Sequence, residues 1–567
     1  MKVLLAAVNA KYIHSNLAVY DLRAYAKKVH PDSEIFIVEY TINQPFDEIL
    51  MDLYLQKPDV LCFSCYLWNM AEVGQLLREI PKILPETKLW LGGPEVSYNA
   101  IEVLEKYPML DGIMRGEGEE TFTELVEHYK GKEPEALIEI RGLAFRDSQG
   151  DIAETPLRET LDLSTVPFVY DHIEDFKNRI VYYESSRGCP FSCSYCLSSI
   201  DKCLRFRDTE MVKKELQFFI DHEVPQVKFV DRTFNCKHDH AMAIWKYLIE
   251  HDNGITNFHF EIAADLLNDE EIELIQSMRP GLIQLEIGIQ STNLQTIKEI
   301  HRTMDLKKVR EKVARIKERR NVHQHLDLIV GLPYEDYGSF AHSFNEVYSM
   351  RPDQFQIGFL KVLHGSWMHE KAQDYDLLCQ ERAPYEVLST KWLPYSDVIR
   401  LKKVEEMVEV HYNSGQFPNT MSRMEKRFPT AFDMYTALGD YYEKKGLFGL
   451  KHTRLARYEI LWKFLQETRN TDEEMKNALI LDLYLRENVK NRPAFLGEDT
   501  VSKEEATEFY RQEAEEFRYL KGYAGFDSRQ LRKMTHLEKI GGKLLLFDYK
   551  NRNRLSQNAT VYEVSTV

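Results

Sequence analysis

The sequence predicts an α/β protein in three parts: an N-terminal doubly wound parallel sheet, a central open, partial (β/α)6 barrel and a mainly helical C-terminal domain. Three observations predict it. Short apolar runs alternate with amphipathic stretches from residue 1 to about 130, and six further runs alternate in the same way from residue 181. Strands alternating with helices build parallel sheets. After about residue 376 the pattern turns mainly helical, and 567 residues exceed what one hydrophobic core organises.

In the first part the expected strands are 3–8, 35–40, 60–64, 89–92 and 112–114, with helices over 16–28 and 119–129. Ligands of doubly wound sheets sit beyond the carboxyl ends of the strands. Those ends carry small and polar residues here: the loop 9–15, Ser64, Gly92, Gly93, Gly116 and Glu117. Domains are expected over 1–135, 179–375 and 376–567, with a connector over 136–178 that holds a hairpin around 147–151. Barrel strands are expected at 181–185, 227–230, 258–262, 283–287, 325–330 and 355–359. The tail should hold helices at 396–410, 430–445, 453–467, 473–487 and 503–520 and a strand at 543–549. No internal repeat or low-complexity tract interrupts this order.

A net charge of −17 argues against a general nucleic-acid binder. No apolar stretch reaches the ~18 residues needed to span a bilayer, and the N-terminus has no signal-peptide pattern. The expectation is a cytoplasmic protein with no membrane association. Eight cysteines in a large intracellular chain read as thiols or metal ligands.

Residues 185–199 read Ser-Ser-Arg-Gly-Cys-Pro-Phe-Ser-Cys-Ser-Tyr-Cys-Leu-Ser-Ser. Cys189, Cys193 and Cys196 thus follow the first barrel strand with C-x3-C-x2-C spacing. Thiolates hold iron–sulfur clusters, usually four to a cluster, so three leave one iron open to an exogenous chelator. The competing reading is a structural zinc site with Cys203 as the fourth ligand.

The motif and its placement resemble the radical S-adenosylmethionine superfamily over about residues 180–370. The resemblance implies a [4Fe–4S] cluster on the three cysteines, with S-adenosylmethionine chelating the fourth iron. It places Tyr195 against the adenine. Asp231 (after the second barrel strand), Glu286 and Gln290 (on and after the fourth) and Gly331 (after the fifth) are further candidates for contact with S-adenosylmethionine. A core salt bridge is an equal reading of Glu286 and of Asp327.

Around the N-terminal sheet, the phrases at 91–97 and 114–121 resemble the cobalamin-binding module that precedes many such enzymes. That makes cobalamin a cofactor, with Ser64, Gly92, Gly93, Gly116 and Glu117 along its site. His14 lies in the loop where such modules carry an axial histidine, but the flanking Asp and Gly of that motif are missing; a loop or helix-capping role competes. A degenerate sheet that binds no corrinoid is the alternative.

The C-terminal third resembles an uncharacterised extension of bacterial radical S-adenosylmethionine proteins. Lys444, Lys445, Lys451, His452, Arg454 and Arg457 alternate with Phe448, Tyr458, Trp462 and Phe464. The pattern leaves RNA as an open partner, while an amphipathic helix explains the same spacing. The combined expectation is a cobalamin-dependent radical methylase of a small-molecule or biosynthetic-intermediate substrate, reduced by a donor such as flavodoxin or ferredoxin. A radical oxidoreductase or cyclase, and a corrinoid- or redox-sensing protein, are the alternatives.

Overall fold

The computed structural model describes residues 1–131, 136–200, 202–489, 491–553 and 556–565. The chain divides into two compact units, one of Met1–Asp336 with Gly358–Tyr395 and one of Tyr337–Ile357 with Ser396–Val567. The limit expected at residue 135 lies outside the described residues.

The first unit opens with strands β1 (Lys2–Asn9), β2 (Glu34–Thr41), β3 (Val60–Ser64), β4 (Lys88–Gly92) and β5 (Gly112–Met114). They run parallel, with Ala6 opposite Phe63 and Phe63 opposite Leu91. Side chains alternate across a strand. Leu4, Ala6 and Val8 therefore pack under the helices Phe46–Gln56 and Met70–Ile83, while Val3, Leu5 and Ala7 pack under Leu17–Val29 and Glu119–Lys130. Burial on both faces is why these strands read as unbroken apolar runs.

The expected hairpin is β6 (Leu143–Arg146) and β7 (Ile152–Glu154), and it is not an isolated element of a connector. It adds antiparallel to β5, so the sheet has seven strands in the order β2-β1-β3-β4-β5-β6-β7. Leu143, Ala144 and Phe145 are buried, and their apolarity draws the hairpin onto the sheet edge.

The second sheet begins with β8 (Val181–Tyr183). A short antiparallel pair, β9 (Ser186–Arg187) and β10 (Arg205–Phe206), brackets the cysteine loop. The sheet continues in chain order through β11 (Gln226–Phe229), β12 (Asn257–Ile262), β13 (Ile283–Gln290) and β14 (His323–Val330). Its last strand, β15 (Gln354–Phe359), straddles the division between the units. Along β12, β13 and β14 every second residue is buried, all of them aliphatic or aromatic except Gln324, and the residues between are polar except Gly288 and Ile329. Those polar residues line the lumen of the open barrel. A small pair, β16 (Leu378–Cys379) and β17 (Val387–Ser389), follows.

In the second unit the helices Ala431–Lys444, Arg454–Glu467 and Glu473–Arg486 lie close to their expected places. The expected lone strand is the middle one of an antiparallel sheet of β18 (Thr535–Ile540), β19 (Lys543–Arg552) and β20 (Ala559–Val564). In the basic and aromatic stretch Tyr458 and Phe464 are buried while Lys444, Lys445, Lys451 and Arg454 are exposed. Lys445 pairs with Glu467 and Arg454 with Glu487, as on an amphipathic helix with a solvated face. Among the described residues no helix is long and apolar enough to cross a membrane.

Candidate active site

The cysteine loop is held from below by a buried carboxylate. Asp231 accepts hydrogen bonds from Ser185 N (2.9 Å), Ser185 Oγ (2.6 Å) and Ser186 Oγ (2.6 Å), and His240 lies 3.0 Å from Ser185 Oγ. Burial raises Asp231 to about 6 against the pull of these donors, and burial lowers His240 to about 4. Both oxygens of Asp231 are thus committed to the entry of the loop. At Gly188 φ is +92°, and a Cβ would come within 2.6 Å of the Cys203 carbonyl, so only glycine fits at this crossing.

Cys189 and Cys193 are buried and Cys196 is half-buried. Cys189 Sγ lies 3.7 Å from Thr233 Oγ1. The loop is stitched across by Ser194 N donating to the Ile300 carbonyl and Met368 N to the Ser194 carbonyl. Arg302 is the residue that sequence reasoning missed. Its guanidinium approaches Cys193 Sγ at 3.6 Å and the Tyr195 hydroxyl at 3.4 Å, and it donates to the Gly288 carbonyl. Burial pushes the Cys193 thiol up, and the Arg302 charge opposes that rise. Tyr195 packs against the apolar group of Ile300, Leu332 and Leu360. A lone arginine past a helix carries no motif, so nothing in the sequence marked it.

Gln290 closes β13 with φ +72° at a bulge in the β13–β14 ladder. Gly331 follows β14 and lies beside Val387. Glu286 and Asp327 point into the lumen and are paired, as the salt-bridge reading expects. Glu286 Oε2 lies 3.2 Å from Lys228 Nζ and 3.0 Å from His259 Nε2, and Asp327 Oδ1 lies 3.0 Å from His325 Nε2. Burial alone would raise Glu286; His259, Lys228 and His325 hold it at about 2.

At the carboxyl ends of the first sheet, Ser64 Oγ accepts from Asn16 Nδ2 at 3.2 Å. Gly93 (φ +107°) turns the chain so closely that a Cβ would lie 2.5 Å from the Cys65 carbonyl. Gly92 ends β4, and Gly116 N donates to Ser97 Oγ at 3.4 Å. Glu117 pairs with Arg205 (2.6 Å) and Arg187 (3.3 Å) and accepts from Leu161 N (2.9 Å). Burial would raise its carboxyl, and these partners hold it below its ordinary value. His14 places Nδ1 2.6 Å from the Tyr182 hydroxyl on β8. The partner expected of an Asp in the axial-histidine motif is here a tyrosine from the barrel.

Comparison with known proteins matches three segments. Residues 183–347 match the radical SAM superfamily, residues 3–126 a B12 binding domain, and residues 373–561 a protein family of unknown function, DUF4080. The 2-(S-pantetheinyl)-carbapenam-3-carboxylate methyltransferase of Streptantibioticus cattleyicolor is 26% identical over 302 residues, 50% of this chain and 44% of that protein. An anaerobic magnesium-protoporphyrin IX monomethyl ester cyclase of Rubrivivax gelatinosus is 23% identical, over 59% of this chain and 61% of that one. The chain thus spans about half the length of these relatives. The cobalamin-dependent S-adenosylmethionine radical enzyme OxsB, solved with aqua-cobalamin and S-adenosylmethionine bound, shares the fold. Its TM-score is 0.59 at 15% identity, over 84% of this chain and 78% of OxsB.

Proposed function

The chain belongs to the radical S-adenosylmethionine superfamily, with a B12 binding domain before the barrel and a DUF4080 region after it, and we propose from that premise that it is a cobalamin-dependent radical methylase of a small molecule. The observation that carries the reading is the cysteine loop, whose three thiols follow the first barrel strand in the same unit as the cobalamin-type sheet. Cys189, Cys193 and Cys196 would hold a [4Fe–4S] cluster. The donor set fits, since thiolates are the ligands of such clusters and Arg302 supplies a buried positive charge beside Cys193. When bound, the cluster supplies the electron that cleaves S-adenosylmethionine, and cobalamin supplies the methyl group.

The chain's own residues then have separable tasks. Asp231 keeps Ser185 and Ser186 fixed so that the loop leaves β8 at one angle. Arg302 holds the Tyr195 ring and the Gly288 carbonyl in one place, and Gln290 and Gly331 line the same end of the barrel. Ser64, Gly92, Gly93 and Gly116 form the edge on which the corrinoid tail would lie. His14, its Nδ1 committed to Tyr182, belongs to the seam between that edge and the barrel.

Mass spectrometry of 5′-deoxyadenosine and S-adenosylhomocysteine tests the reading. Anaerobically reconstituted protein with cobalamin, reductant and a small-molecule extract should release both in step, and Cys193→Ala should release no deoxyadenosine. Deoxyadenosine without S-adenosylhomocysteine would replace methylation by oxidation or cyclisation. Cleavage that survives Cys193→Ala would sink both.

A further inference from the structure

The barrel lumen holds a set of metal donors that the cluster and cobalamin reading leaves unused. Glu286 on β13 stands directly opposite His325 on β14, and Asp327 follows on the same face of β14. Strands pair at about 4.8 Å, so alternate residues on two neighbours converge. One donor atom from each of Glu286, His325 and Asp327 lies within 4.8 Å of the other two.

These groups answer one another in pairs. His325 Nε2 and Asp327 Oδ1 lie 3.0 Å apart, as do His259 Nε2 and Glu286 Oε2. Imidazoles and carboxylates thus face each other from adjacent strands, and they are the donor types that hold a first-row ion.

An outer layer is present as well. His259 Nδ1 lies 2.9 Å from the Gln284 side-chain amide, and Lys228 Nζ lies 3.2 Å from Glu286 Oε2. Such groups orient metal-binding side chains. A glutamine amide can turn either its oxygen or its nitrogen to a ring nitrogen, so Gln284 also sets which nitrogen of His259 is protonated.

We propose that Glu286, His325 and Asp327 bind one divalent first-row transition ion inside the barrel, with His259 and Lys228 positioning Glu286. One imidazole and two carboxylates, with no thiol, suit ions from Mn²⁺ to Zn²⁺. Three protein ligands leave a coordination position open, as reactive sites do. The proposal needs neither the cluster nor cobalamin to be right.

Mn²⁺ is the probe, because a hard ion avoids the cysteine thiolates. Cluster-loaded protein, kept oxidised, is titrated with Mn²⁺ and the free ion is read from its EPR signal. Iron and cobalamin content are measured on the same samples. Wild type should bind one ion per chain, with imidazole nitrogen coupling in the pulsed EPR spectrum. Asp327→Asn and His325→Gln should each weaken binding at least about tenfold with iron content unchanged. Absence of a stoichiometric ion in wild type, a bound ion without nitrogen coupling, or unaltered affinity in both ligand variants would each overturn the proposal.

Discussion

Burial on β12 pushes the Glu261 carboxyl up to about 7; Arg232 opposes the rise and Glu286 adds to it. The folded chain therefore keeps a proton on Glu261 where the unfolded chain, titrating near an ordinary glutamate value, has released it. Stability from this group is full below the unfolded pKa and is lost as pH rises through about 7. Glu261→Gln should accordingly unfold at higher urea than wild type at about pH 8, by at most ~3 kcal/mol. The advantage should shrink toward about pH 5. A variant advantage that is the same at both pH values would assign the effect to packing. At this scale the cysteines were legible because their spacing is itself a motif. Arg302, Lys228, His259 and His325 were not, because their meaning lies in which strands stand side by side.

Elements were read well wherever one period governed them. β1 to β5 needed only apolar runs between turns, since both faces of the sheet are covered. The helix Pro418–Met424 escaped because a distant side chain completes its start. Buried Asp482, on the helix Glu473–Arg486, accepts from Asn419 N (3.0 Å), Asn419 Nδ2 (2.8 Å), Thr420 N (2.7 Å) and Thr420 Oγ1 (2.7 Å). This carboxylate does the work of an N-cap for a helix about sixty residues earlier in the chain. Asp482→Ala would leave two backbone donors and two side-chain donors without partners, and should cost about 3 kcal/mol in urea unfolding. A loss below about 1 kcal/mol would mean that water replaces the carboxylate. Likewise β18 and β20 were missed because their pairing with β19, rather than their own composition, makes them strands.

Across the first unit, charged groups join the cobalamin-type sheet to the barrel. Glu117 ties Arg187 and Arg205 of the β9–β10 pair, and Glu39 ties Arg179 just ahead of β8. Removing one partner of a part-buried cluster is costly; Arg187 keeps Glu119 and Glu184 while Arg205 loses the carboxylate it shares with Arg187, so Glu117→Ala should cost about 3 kcal/mol. Hydrogen exchange at Ser186–Arg187 and Arg205–Phe206 reads the loss as faster labelling, and unchanged labelling there would show that the pair docks without Glu117. By itself the sequence determined the order of the three parts, the approximate places of the parallel strands of both sheets and the cysteine loop. Each of these is written in local periodicity or in a spacing of a few residues. Only the tertiary structure decided that Glu117 pairs with the arginines of the seam, that Asp231 braces the loop, and that polar residues from three strands converge in the lumen. Those outcomes depend on strand order and register, which bring together residues whose separation along the chain carries no signal of their contact.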